Sequence, residues 1–174
     1  MLGDKAIAIA GGIPSLTSSG GVLPIPIFCH TAGCYWIYHE TFKQTPMGFA
    51  FDEGGFTNPT GFMTAMAKKY GRTLRSSDAG NLVNGTVLVF TTLSGNAEHT
   101  CIIRYDGEIA GYNQIGWFPS GISPPYSIDP VGTIKWANAK DHEVTLSQNR
   151  PGHLFAIDED KAVNFMKYNF GKPF

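Results

Sequence analysis

Residues 85–114, GTVLVFTTLSGNAEHTCIIRYDGEIAGYNQ, decide how this chain folds. TVLVFTT, 86–92, is β-branched and apolar throughout, the character of a buried strand. HTCIIRYDGEIAGYNQ, 99–114, reads as a hairpin turning at Asp106-Gly107. A two-residue turn there pairs Tyr105 with Glu108, and therefore Ile103 with Ala110, Cys101 with Tyr112 and His99 with Gln114. A glycine bulge at the turn slips the register by one and puts Asn113 in the place of Gln114. Alternation sets His99, Cys101 and Ile103 on one apolar, inward face.

Two helices precede this sheet in the chain. Thr31 is an N-cap for a helix from Ala32 to about Gln44, halted by Thr45-Pro46 because the residue before proline avoids helical geometry. That start puts Cys34 in the first turn. A second helix has Asn58 as its cap, Pro59 in its first turn, Phe62, Met63, Met66 and Tyr70 on one face, and Gly71 at its end. After the hairpin, GWFPSGISPPYSIDP suits an irregular surface loop. GTIKWA, EVTL and HLFAI are strand-like, and the last helix runs from about Glu159 to Phe170, capped by Asp158 and stopped at Gly171. Helices first and a mostly antiparallel sheet after them make the class α+β. Residues 1–27, which include GGIPSLTSSGGVLPIP, form an extended lead-in, and 28–174 one domain.

Composition narrows the function. The chain has 174 residues, 43% hydrophobic and 16% charged, with a net charge of -1. These values describe a globular chain with a real core. Its 13 lysines and arginines are scattered and form no stripe for nucleic acid. Three cysteines without a CxxC indicate neither a disulfide framework nor a zinc ribbon. No secretory signal and no membrane span are expected, so action outside the cell requires another export route or release from a longer polypeptide.

The chemistry expected of this pattern is nucleophilic. A cysteine in the first turn of a helix lies beside unpaired N–H groups and the positive end of the helix dipole, both of which favour thiolate. It needs a proton shuttle, and histidine has the suitable pKa. His39 lies about 140° around the helix from Cys34. His30 lies before the expected helix, and His142 in a charged turn. His99, on the face it shares with Gln114 or Asn113, is the candidate base, with either amide as its orienting partner.

A helix-start cysteine, a GTVLVF strand and a histidine-led strand turning at DG into a polar-ended strand together resemble papain-like cysteine peptidases. The resemblance is greatest to their NlpC-like cell-wall amidase branch and the related secreted amidase effectors, over roughly residues 28–118. It implies Cys34 as nucleophile, His99 as base, Gln114 as orienter, no cofactor, and an amide in a peptide or peptidoglycan as substrate. An antibacterial effector of this kind would be exported without a classical signal and be met by an inhibitor or immunity protein. A toxin that cleaves or deamidates a cytosolic protein would use the same triad. The chain departs from the branch at Gly33 before the cysteine, at Gly85-Thr86 before the strand, and in the apolar Ile25-Pro26-Ile27-Phe28 where papain-type enzymes carry an oxyanion-hole glutamine.

Tyr35, Trp36, Tyr112 and Trp117 stand beside the expected triad and are its candidate substrate contacts. Packing is the competing account of Trp36, of Cys34 and of Cys101, because free cysteine is commonly a small buried hydrophobe. Cys29, His30 and Cys34 could supply three zinc ligands, but at a spacing that matches no common site. The alternative class of function is a non-catalytic binding domain that uses the Trp117 to Tyr126 loop.

Overall fold

The computed structural model describes Leu2 and residues 29–43, 58–112, 117–118, 126–137 and 141–174. Apart from Leu2, the expected lead-in lies outside the described residues. The elements are α1 (Cys29–Phe42), α2 (Pro59–Tyr70), β1 (Arg72–Thr73), β2 (Val87–Thr92), β3 (Ala97–Ile103), β4 (Ile109–Tyr112), β5 (Tyr126–Asp129), β6 (Glu143–Thr145), β7 (Pro151–Ile157) and α3 (Glu159–Asn169), joined in places by short 3-10 turns. The strands form one antiparallel sheet in the order β1-β7-β2-β3-β4-β5, with β6 pairing β7 on the edge it shares with β1. This is an α+β architecture.

The sheet has two covered faces. On one, Val87, Val89, Ala97, Ile102 and Ala110 meet Trp36, Phe62, Met63, Met66 and Phe165 from the three helices. Burying each of the large side chains contributes about 1.5–3 kcal/mol. On the other, Leu88, Phe90, Cys101, Ile103 and Leu154 pack under Phe118, Ile134, Val144 and Leu146, supplied by loops and β6. Strand alternation divides β2 and β3 between these cores.

Local signals account for most element ends. Asn58 Oδ1 accepts the Gly61 N–H at 2.8 Å, Pro59 opens α2, and the Gly71 N–H closes it on the Ala67 carbonyl. In α3, Ala162, Phe165 and Met166 are buried at helical spacing. Asp158 sits at its N-cap, but against expectation its side chain makes no cap bond; it accepts from Arg72 Nε at 3.2 Å. Gly85 must be glycine: its φ is +91°, and a Cβ there would run into the Glu159 carboxylate. Gly33 lets α1 lie against β3, since a Cβ would stand 2.8 Å from Thr100 Cγ2 and 2.9 Å from Met63 Cε.

Four expectations change. α1 begins at Cys29, two residues before Thr31, and ends at Phe42. The hairpin takes the bulged register, with Cys101 opposite Gly111, Ile102 opposite Ala110 and Ile103 opposite Ile109. Its turn is closed by the Gly107 N–H on the Arg104 carbonyl, with Gly107 at φ +81°, the left-handed position of a three-residue loop. Within the stretch expected to be wholly irregular, Tyr126–Asp129 forms β5 against β4. GTIKWA is mostly a 3-10 turn, Val131–Thr133, plus a single bridge from Trp136 to Val144.

Candidate active site

The earlier start of α1 moves the cysteines. Cys34 falls in the second turn, fully buried in the helix-side core, and desolvation pushes its thiol well above the usual range. His99 belongs to the opposite face: it packs on Phe90 and Phe118, and its neighbour Thr100 is the residue that meets α1. The expected Cys34–His99 pair is therefore divided by the sheet, and Cys34 is a packing residue. Cys101 is buried in the second core. Cys29 is the partly exposed thiol of the three.

Cys29 opens onto a cavity of about 320 Å³ where three chain segments begin together. Cys29, His30 and Thr31 come from the start of α1, Pro59 and Thr60 from the start of α2, and Glu98 and His99 from the start of β3, with Trp117 as a further wall. The Cys29 thiol points to the Glu98 carbonyl oxygen, 3.9 Å away and one residue from His99. The β3 register shifts between Phe90 and Thr91, which pair with His99 and Ala97, leaving Glu98 as the extra residue of a bulge. Bulges re-aim the side chains beside them, and this one lies at the cavity. Trp117 stacks on the His99 ring at 4.9 Å between centroids and 13° between planes, which fixes the imidazole plane.

Around the sulfur, charge is controlled by burial. Desolvation raises the Cys29 thiol, and the nearby Glu98 carboxylate adds to the rise. Hydrogen-bonding backbone groups of Thr100, His30 and Cys29 itself pull downward without reversing it. The resting group is thus a thiol, and the helix tip alone does not make the expected thiolate. His30 Nδ1 is 2.8 Å from Thr100 Oγ1, and burial pushes its pKa down to about 4, so it is neutral at pH 7. Arg150 holds Glu98 with two bonds, Nη1 to Oε1 at 3.2 Å and Nη2 to Oε2 at 3.3 Å.

Other expected site residues separate. Tyr35 and Trp36 are buried in the helix-side core and do not line this cavity, since α1 turns that side inward. Tyr112 is half-buried against the same core. Trp117 reaches the site. Asn113 and Gln114 lie outside the described residues, as does most of the Trp117 to Tyr126 loop. The sequence reading weighed Cys29 and His30 only as zinc ligands with Cys34, and set His30 aside as a proton shuttle; the available signal for a site was a polar Cys-His pair directly before the chosen cap, together with Thr100, a hydroxyl inside an apolar strand. Among the described residues no group of three or more histidine, cysteine or acidic side chains is placed to hold a metal, and no helix is long and apolar enough to cross a membrane. No protein-family model, curated protein or solved structure matches this chain.

Proposed function

We propose that the chain is a cysteine hydrolase of the amidase or peptidase type, with Cys29 in place of Cys34 as nucleophile and His99 as acid and base. One observation carries this reading: Cys29, at the first position of α1, is partly exposed and opens onto a cavity that His99, itself buried under Trp117, also borders, whereas Cys34 and Cys101 are buried away from it. Because the resting thiol is protonated, His99 takes its proton as sulfur attacks the amide carbonyl carbon. The proton then passes to the leaving amine as the C–N bond breaks; water, deprotonated by the same imidazole, attacks the thioester, and as the C–S bond breaks the acid is released and the imidazolium returns its proton to sulfur. Backbone N–H groups in the first turn of α1 are the donors for the developing oxyanion.

The bulged hairpin favours Asn113 over Gln114 as the residue that orients His99, since the register seen from Cys101 to Ile103 is the one in which asparagine takes that place. The order of cysteine helix, strand and histidine-led hairpin supports a papain-like, NlpC-like relationship, and with it bacterial peptidoglycan peptide as the substrate. Deamidation or cleavage of a cytosolic protein is the same chemistry on another amide.

Incubation of purified sacculi with the wild-type protein, followed by analysis of released fragments, tests both parts. New amine and carboxyl ends that vanish in Cys29→Ala and persist in Cys34→Ala are the expected result. Ends that vanish only in Cys34→Ala overturn the assignment of Cys29. No new ends from sacculi, with hydrolysis of a protein amide instead, transfers the activity to the second substrate.

A further inference from the structure

A second cavity, of about 460 Å³, lies farther along α2 from the first. Thr64 and Lys68 line it from the helix, Ser94, Gly95 and Asn96 from the β2–β3 turn, and Phe155 from β7. The two cavities share their banks. Thr60 borders the first, and Thr64 and Lys68 follow at four-residue steps on the same helix stripe. Opposite them, chain 94–98 runs the other way, from the turn at the second cavity to Glu98 at the first, tied to α2 midway by the Ala97 N–H donating to Thr64 Oγ1 at 2.9 Å. From Thr60 to Lys68 the helix rises about 12 Å, which an extended peptide covers in about four residues.

Charge defines the far end. Among the described residues, Lys68 is exposed, is the one charged side chain lining the second cavity, and pairs with no carboxylate. Around it the amide of Asn96 and the hydroxyl of Ser94 are the polar groups of the turn, Thr64 Oγ1 is taken up between the Thr60 carbonyl and the Ala97 N–H, and Phe155 gives an apolar wall.

We propose that this cavity is a substrate subsite that takes the free carboxylate of an extended peptide, with Lys68 as the residue that selects for it. The proposal rests on the hydrolase reading, because it makes the Cys29 cavity the place where that peptide's scissile amide lies. Binding separates the two. The probe is a stem tetrapeptide ending in a free D-alanine carboxylate, compared with its C-terminal amide, titrated by calorimetry into the full chain carrying Cys29→Ser, with Lys68→Ala and Lys68→Glu added in turn. The acid is expected to bind about tenfold tighter than the amide, with the preference lost in Lys68→Ala and reversed in Lys68→Glu. Equal binding of acid and amide, a preference indifferent to Lys68, or no binding of either peptide overturns the subsite. Wild-type turnover of the same peptides is measured separately. A Lys68-dependent preference without turnover supports the subsite and removes the hydrolase reading, and turnover without the preference does the opposite.

Discussion

The tip and the middle of α1 carry the same side chain in opposite circumstances. Cys29 and Cys34 are five residues apart on one helix, yet one thiol borders a cavity and the other has no exposed surface. At the tip the sulfur lies among first-turn amides and the start of β3. In the second turn it lies among Trp36, Met63 and their neighbours on the sheet. Position relative to the helix end, and not residue type, separates an accessible thiol from a packed one here.

The largest expected effect comes from erasing the tip. Cys29→Ala and His99→Ala each lower amide hydrolysis by more than about a thousandfold; Cys29→Ala leaves the melting temperature nearly unchanged, and full activity in either variant breaks the contrast at its functional end. Next comes a stability effect from His30, the residue beside the tip. Its pKa in the fold, about 4, lies below the ordinary 6.5, so the unfolded chain binds more protons between those values. The associated stability, on the order of 3 kcal/mol, is complete above pH 6.5 and is lost as pH falls toward 4. Denaturant unfolding at intervals across that window reads the slope directly, and His30→Gln removes it.

A smaller effect reports the two thiols themselves. In the folded protein iodoacetamide modifies Cys29 before Cys34 or Cys101, and its rate climbs about tenfold per pH unit through pH 9, because the thiol is raised above its ordinary value. A rate that levels off below pH 9 contradicts the raised thiol, and early modification of Cys34 contradicts its burial. Smallest of all, Cys34→Ala costs about 1 kcal/mol in chemical unfolding through lost packing, with activity retained.

What the sequence made legible follows from how local each determinant is. α2 was readable residue by residue, since Asn58, Pro59 and Gly71 act through their own backbone. The β2 and β3 strands were readable from side-chain type, and the alternation that groups His99, Cys101 and Ile103 is the one observed. Which face the helices cover was not readable, because alternation separates two faces without saying what each will meet. The start of α1 failed for a related reason. Thr31 is a good local cap, but His30 is held by Thr100, 70 positions away, and Cys29 by the Glu98 carbonyl, so a long-range anchor extends the helix beyond its apparent beginning. β5 stayed hidden because YSID is short and gains its identity only by adding to the β4 edge.

Gly33 gives the arrangement an unexpected vulnerability. The hydrogen in place of a methyl at that position sets how low the first helix rides over the sheet, and so sets the reach of a sulfur one turn upstream. A side chain added there would touch neither the cleft nor its histidine, yet it would tilt the whole lever on which the Cys29 sulfur is mounted.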